Sequence, residues 1–171
     1  ARYEKIRINH QVVSQGVRGG GGIGSDGYRE ILGTWVADSE NETSWSEVFK
    51  ELKERGLKGV RYVVSDDHAG LVKAIGRHFQ GVLWQRCQVH FVRNLCSLVS
   101  KKDRSKVVEM LREITTAQTY VTARKRMDEA IEVLEKLHPK VAQILEENGE
   151  DILTVYQLPV WQRRGMKSTN M

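Results

Sequence analysis

The spacing of apolar and polar residues predicts that the chain opens with three strands. Residues 3–8 alternate between the two kinds of side chain, as a half-buried strand does, and residues 11–17 form a second strand pattern after a turn at Asn9-His10. Asp26-Gly27 is a strong hairpin signal ahead of a third apolar stretch at residues 28–37. Successive strands joined by short turns are typical of an antiparallel meander.

A helical period replaces this alternation from Trp45 onward. Apolar residues recur at helical spacing as far as Leu57, and Thr43 is placed to cap the first turn. Two short apolar runs, residues 60–65 and 82–85, then flank a second helical pattern at residues 68–79. The order β-β-β-α-β-α-β predicts an α/β fold in which helices pack over a mixed sheet.

The pattern is almost wholly helical from there to residue 157. Candidate helices cover residues 91–99, 104–115, 120–137 and 140–153. Because this region is too long for a loop, we interpret residues 91–157 as an all-α insertion that follows an α/β core formed by residues 1–90. Residues 158–171 would then return the chain to the core.

Composition narrows the class of protein without selecting a function. The 171 residues are 40% hydrophobic and 29% charged, which is ordinary for a globular protein, and the apolar runs are too short to cross a bilayer. No basic and then apolar leader opens the chain, so we expect a cytoplasmic protein without a membrane partner. The net charge of +5 permits a polyanionic partner without requiring one. Cys87 and Cys96 are expected to be reduced thiols.

The run GGGGIG at residues 19–24 satisfies, on paper, the G-x-G-x-x-G pattern of dinucleotide-binding proteins. That fingerprint requires a helix directly after the glycines, whereas Ser25-Asp26-Gly27 and another strand pattern follow here. A P-loop is excluded as well, because no Gly-Lys-Ser/Thr closes the run. We therefore expect no nucleotide cofactor, and we interpret the glycines as a chance feature or a flexible interruption of the second strand.

Acid, thiol and imidazole side chains follow the two short strands of the α/β pattern. Asp66 comes directly after the first of these strands, where a carboxylate is well placed to bind a divalent cation. The alternative is that Asp66 and Asp67 cap the helix that follows. Cys87 and His90 come after the second strand, but two ligands do not make a zinc site, so a structural role is the alternative for this pair.

Three motifs resemble those of the Mutator-type bacterial transposases. They are VVSDDHAGLVKAI at residues 63–75, WQRCQVHFVRNL at residues 84–95, and Pro159 and Trp161 followed by Ser168-Thr169-Asn170. The resemblance runs in the same order along the whole chain. It implies a ribonuclease H-like core with a DDE triad of carboxylates, in which Asp66 is the second acid and a metal ligand. Cys87 and His90 would lie beside the active centre and are candidate catalytic residues.

The resemblance also implies that the intact protein cleaves and joins DNA strands with Mg²⁺ (or Mn²⁺). The family's first aspartate would stand before Ala1, and its glutamate would follow Asn170. The metal would therefore be weakly bound or absent in this segment, which we expect to be inactive alone. Within the chain, three acids of the helical region stay open as a third ligand, namely Glu146, Glu147 and Glu150.

Double-stranded DNA is the partner that the resemblance implies, and a homo-oligomer is the expected active form. Arg86, Arg93, Lys101 and Lys102 are candidate phosphate contacts, although a solvated charged face accounts for them equally well. Two other functions stay open. One is a ribonuclease H-like nuclease that hydrolyses DNA without joining strands, and the other is a non-catalytic DNA-binding remnant.

Overall fold

The computed structural model describes residues 2–8, 11–24, 26–37 and 41–169, with residues up to 17 and residue 37 described by their backbone alone. The strands are β1 (Arg2–Ile8), β2 (Gln11–Ile23), β3 (Arg29–Ala37), β4 (Tyr62–Ser65) and β5 (Leu83–Arg86). The helices are α1 (Glu42–Glu54), α2 (Ala69–His78), α3 (Gln88–Ser97), α4 (Arg104–Thr116), α5 (Tyr120–Leu137) and α6 (Pro139–Asn148). Short 3-10 helices follow at Gly149–Ile152, Thr154–Gln157 and Val160–Gln162. The protein is thus mixed α/β, and the predicted order β-β-β-α-β-α-β is confirmed.

The described strands pair in two sets. The strands β1, β2 and β3 form an antiparallel sheet in that order, while β4 and β5 pair in parallel. A single mixed sheet with the ribonuclease H-like strand order stays a prediction. The turn predicted at Asn9-His10 lies outside the described residues, whereas the hairpin signal at Asp26-Gly27 is confirmed, because Gly27 has a φ of 83° and donates to the carbonyl of Gly24 at 3.0 Å.

The chain divides into two compact units, and the predicted division at residues 90 and 157 stays a prediction. The first unit is Ala1–Arg61 with Asp67–Val82, and the second unit is Tyr62–Asp66 with Leu83–Met171. Among the described residues, no helix combines the length and the apolar character that crossing a lipid bilayer requires.

The glycine run lies within β2 as far as Ile23, and only Gly24 follows the end of the strand. Of the two interpretations of the run, the interruption of the strand was therefore wrong. The strand continues through it with a register shift between Gly20 and Gly21. A Cβ atom on Gly20 would lie 3.0 Å from the indole of Trp35, and one on Gly33 of the neighbouring strand would lie 2.8 Å from it. The indole donates to Glu51 Oε2 at 2.8 Å. The missing side chains of these two glycines therefore make room for Trp35.

In the first unit, the helices α1 and α2 pack against each other. The residue that caps α1 is Asn41 rather than the predicted Thr43, because Asn41 and Ser44 form a reciprocal capping box. Phe49 of α1 lies edge-on to Phe79, with ring centroids 5.0 Å apart. The chain at the start of α1 approaches α2 closely at Gly70, where an added Cβ atom would lie 2.7 Å from the carbonyl carbon of Asn41.

In the second unit, the helices from α3 to α6 surround one apolar core. Its fully buried members include Phe91, Leu111, Ile114, Met127 and Leu134. Four of these five residues follow helical spacing in the sequence, and α5 begins and ends where the pattern predicts, with Thr119 as its N-cap. The predicted helix at residues 140–153 ends earlier, at Asn148, and continues as 3-10 turns.

Buried amide side chains of β5 and α3 bind the 3-10 turns that follow α6. Gln85 accepts a hydrogen bond from the backbone N–H of Val155 at 2.7 Å, and Gln88 donates to the carbonyl of Ile152 at 2.8 Å. Both amide side chains are buried, so their polar atoms depend on these partners. The chain that leaves β5 and forms the helices from α3 to α6 thus returns to contact β5 again.

Candidate functional site

Asp66 and Cys87 follow the paired ends of two neighbouring parallel strands. Ser65 of β4 lies opposite Arg86 of β5, and the N–H of Cys87 donates to the carbonyl of Ser65 at 2.7 Å. Because parallel strands end at the same edge of a sheet, the residues that follow them are brought together. The sequence predicted that Asp66 and Cys87 follow the ends of two short strands, and the structure places the two residues next to each other.

The helix α3 then brings His90 to the same point. Cys87 is the N-cap of α3 and His90 lies in its first turn, so the imidazole faces back toward the thiol, with Nδ1 3.2 Å from Sγ. The same Nδ1 lies 2.8 Å from Oδ1 of Asp66. With a hydrogen on Nδ1 the ring donates to this carboxylate, whereas without it Nδ1 accepts from the thiol.

Solvent reaches one side of this group. The side chains of Asp66 and His90 are 39% and 33% exposed, while Cys87 is fully buried. A ligand that approaches from solvent would therefore meet the carboxylate and the imidazole first and the sulfur last.

Thr169 is a member of this group that the sequence did not predict. Its backbone N–H donates to the sulfur of Cys87 at 3.4 Å, and its hydroxyl lies 3.5 Å from that sulfur and 3.5 Å from Nδ1 of His90. The only sequence signal was the Ser168-Thr169-Asn170 motif, to which no contact could be assigned. Asn170 lies outside the described residues.

The segment that carries Thr169 is held by hydrogen bonds from β4, α3 and α4. The N–H of Gln88 donates to the carbonyl of Lys167 at 2.9 Å, and the hydroxyl of Tyr62 donates to that of Met166 at 2.9 Å. The ammonium of Lys167 donates to the carbonyl of Thr115 at 2.8 Å. Burial lowers the pKa of Lys167, with a smaller contribution from a neighbouring arginine, so this contact is made in a partly dry environment.

Among the described residues, Asp66 makes no side-chain capping contact with α2. The N-cap of α2 is His68, which makes no side-chain capping hydrogen bond, and the first turn of α2 carries no acidic residue. The carboxylate of Asp66 is instead within hydrogen-bonding distance of His90. The metal role itself stays a prediction.

The predicted pair of Cys87 and His90 gains a third partner. Ligand atoms of Asp66, Cys87 and His90 all lie within 4.8 Å of one another. Within the described part of the chain, this is the group of histidine, cysteine and acidic side chains that could hold a metal ion. Two residues that sequence reasoning left without a third ligand therefore belong to a three-donor cluster.

The candidate phosphate contacts differ in their surroundings. Arg86 is buried and its guanidinium lies 4.8 Å from the ring centroid of Phe91, which favours a packing role for this residue. Arg93, Lys101 and Lys102 are exposed and can meet a polyanion. A phosphate contact by any of the four stays a prediction.

The glutamates of the helical region are not part of the Asp66 cluster as described. Glu150 accepts hydrogen bonds from Tyr120 and, at 2.7 Å, from Arg124, and these contacts raise the pKa of both partners. Glu146 and Glu147 are exposed on α6. None of the three glutamates belongs to the cluster among the described residues, and the position of a third acid stays a prediction.

Comparison with known proteins identifies the family to which the chain is similar. The family model described as "Transposase, Mutator family" matches residues 1–171. The transposase for insertion sequence element ISRM5 of Rhizobium meliloti (strain 1021) is 39% identical over 171 residues, which are 100% of this chain and 43% of that relative. The transposase for IS406 of Burkholderia multivorans is 37% identical, and that for IS256 in transposon Tn4001 of Staphylococcus aureus is 36% identical, each over 99% of this chain and 44% of the relative.

The chain therefore spans less than half the length of these curated relatives. The match of the family model covers the whole chain, and the identity to several transposases exceeds one third. The chain belongs to the Mutator family of transposases.

Proposed function

We propose that the chain is a segment of the catalytic domain of a DNA transposase and that Asp66 is one of its metal-binding acids. One observation carries this proposal: the carboxylate of Asp66 lies at a strand end, 2.8 Å from His90, in a cluster that Thr169 also contacts. A carboxylate held at a strand end by a rigid element is suited to fixing a divalent cation in place.

The position of Thr169 supports the same proposal. The family resemblance implies that a glutamate follows Ser168-Thr169-Asn170, and Thr169 lies against Cys87 and His90. The chain that continues from this point starts beside the group that contains Asp66. A following glutamate could then reach the same ion as Asp66.

The described donor set fits Mg²⁺ only in part. Mg²⁺ prefers octahedral oxygen ligands, and Asp66 is the single carboxylate of the cluster. In the intact protein, Asp66 would hold the ion together with acids from outside the described residues. Bound there, Mg²⁺ would activate the oxygen that attacks a DNA phosphodiester and would stabilise the charge on the leaving oxygen.

His90 has two roles available in this scheme. Its Nδ1 contacts Asp66 and thereby orients the carboxylate, since a hydrogen bond from the ring fixes which oxygen faces the sheet edge. The side chain of His90 is also 33% exposed, so a ring with a hydrogen on both nitrogens can donate through Nε2 to a phosphate oxygen that approaches Asp66.

The experiment is a strand-transfer assay with the intact protein that contains this chain, supplied with transposon-end DNA, target DNA and Mg²⁺. Asp66→Asn keeps the size of the side chain and removes its charge. We expect cleavage and joining to fall by a factor on the order of 10² or more, as loss of several kcal/mol of transition-state stabilisation implies. The neighbouring Asp67→Asn is the matched control and should keep activity within about threefold.

The outcomes separate the alternatives. Cleavage without joining by the unmodified protein would assign it to hydrolytic nucleases. DNA binding without cleavage under any metal would make it a DNA-binding remnant. Full activity in Asp66→Asn, with loss in Asp67→Asn, would show that the wrong aspartate was chosen.

A further inference from the structure

The cluster at the strand ends joins three chemically different donors. Asp66 offers a carboxylate oxygen, His90 an imidazole nitrogen and Cys87 a sulfur, and these atoms lie within 4.8 Å of one another. Magnesium binds poorly to sulfur and nitrogen, whereas zinc and neighbouring ions of the first transition row accept all three donor types. The chemistry of the set therefore favours a borderline ion over Mg²⁺.

The distances are close to those of a zinc site. Zinc–sulfur bonds of about 2.3 Å and zinc–nitrogen or zinc–oxygen bonds of about 2.0 Å place tetrahedral ligand atoms roughly 3.3–3.5 Å apart. Nδ1 of His90 lies 3.2 Å from the sulfur of Cys87 and 2.8 Å from Oδ1 of Asp66. Both separations reach tetrahedral values with side-chain shifts of a few tenths of an ångström. The third separation, between the sulfur of Cys87 and the carboxylate oxygen of Asp66, is within 4.8 Å.

The surroundings complete the features expected of such a site. The N–H of Thr169 points at the sulfur at 3.4 Å, and its hydroxyl lies 3.5 Å from it, so a thiolate ligand would be hydrogen-bonded from outside the ligand set. The N-terminus of α3 favours negative charge at Cys87. The exposed side of Asp66 and His90 leaves a fourth position for water.

We propose that Asp66, Cys87 and His90 form a three-ligand site for a zinc-type divalent ion, with a fourth position open to solvent. As the sulfur–metal bond forms, the Cys87 S–H bond breaks and its proton passes to solvent. The site does not depend on the proposed transposition chemistry. It shares Asp66 with that chemistry, however, so a zinc-type ion and Mg²⁺ compete for the same carboxylate.

The test is cobalt binding to the untagged 171-residue chain, purified without metal under reducing conditions. Co²⁺ replaces zinc in such sites and reports a bound thiolate through a sulfur-to-cobalt charge-transfer band in the near ultraviolet. We expect one equivalent of Co²⁺ to produce this band together with intense tetrahedral d–d bands. One equivalent of Zn²⁺ should abolish both, and a large excess of Mg²⁺ should not.

Variants assign the ligands. Cys87→Ser should remove the charge-transfer band, and Asp66→Asn and His90→Gln should each weaken Zn²⁺ binding tenfold or more. Cys96→Ser is the matched control, because Cys96 is the other buried thiol of α3 and lies outside the cluster. It should leave the spectrum and the affinity unchanged. Circular dichroism of each variant verifies that it is folded.

A readout on the unmodified chain avoids reliance on variants. Zinc-edge X-ray absorption of the loaded chain should show one sulfur neighbour at about 2.3 Å and nitrogen or oxygen neighbours near 2.0 Å. A folded chain without the cobalt band, or a zinc spectrum without sulfur, would overturn the proposal. So would a band that persists in Cys87→Ser, or unchanged zinc affinity in Asp66→Asn. Because transposition is not measured, these failures leave the proposed function standing.

Discussion

Gly70 offers a sharp test of how α2 is positioned beside α1. A Cβ atom built on Gly70 would lie 2.7 Å from the carbonyl carbon of Asn41 and 2.7 Å from the nitrogen of Glu42, both backbone atoms. Reaching ordinary contact at 3.4 Å requires the helices to separate by about 0.7 Å. Gly76, in the same helix, has nothing within 4 Å of the corresponding position.

The two substitutions should therefore have opposite effects on stability. Overpacking against an element that cannot move away costs about 1–3 kcal/mol, and the displaced residue is the N-cap of α1, whose capping box is worth about 1 kcal/mol. The better helix propensity of alanine returns only about 0.5–1 kcal/mol. We expect Gly70→Ala to lower the free energy of unfolding by about 1–3 kcal/mol and Gly76→Ala to raise it by about 0.5–1 kcal/mol.

Urea denaturation of the chain, followed by circular dichroism and tryptophan fluorescence, measures both changes. The slopes of the transitions should agree between variants, which makes the midpoints comparable. Thermal midpoints should move by about 2–4 °C per kcal/mol for a protein of this size. Equal stability of Gly70→Ala and Gly76→Ala would refute the close approach of the two helix backbones.

Three further predictions concern the second unit. Phe91→Ala should lower the free energy of unfolding by about 3–5 kcal/mol in urea titration, whereas Phe91→Leu should cost less than about 1.5 kcal/mol, because Phe91 is fully buried. Burial raises the pKa of the Tyr62 hydroxyl above 10.0. The free energy of unfolding should therefore be unaffected by ionisation of Tyr62 below about pH 10 and should fall as the pH rises further, because ionisation is easier in the unfolded chain. Tyr62→Phe should lessen that fall when unfolding is measured at increasing alkaline pH. Replacing Lys101 and Lys102 with glutamine should reduce the salt dependence of DNA binding by the intact protein, by about 0.9 per residue in the slope of log affinity against log salt.

The sequence predicted helix bounds well where the apolar period was clear, and it predicted the N-cap less well where two residues could take that role. The bounds of α5 agree with the predicted helix at residues 120–137, which rested on the apolar period alone. Thr43 was chosen as the cap of α1, although Asn41 has the role. Both residue types cap helices, and only the reciprocal contact with Ser44, which depends on the chain direction before the helix, distinguishes them.

Tertiary contacts decided what the sequence could not. The glycines of β2 looked like an interruption because the indole that lies against Gly20 comes from the next strand. The strand ends at Asp66 and Cys87 were predictable from the alternation of strands and helices. The contact of Thr169 with Cys87 was not, because 82 residues separate the two positions and no local pattern records such a pairing.

The segment before Thr169 forms no α-helix, and its path depends on hydrogen bonds to backbone carbonyl groups of other parts of the second unit. Arg163 donates to the carbonyl of Gln118, and Lys167 donates to that of Thr115, so the end of α4 and the turn that follows it hold the segment that carries Thr169. Inactivating alleles that map to this turn would therefore mimic lesions of the cluster itself. In a genetic screen, position in the sequence alone would not tell the two classes apart.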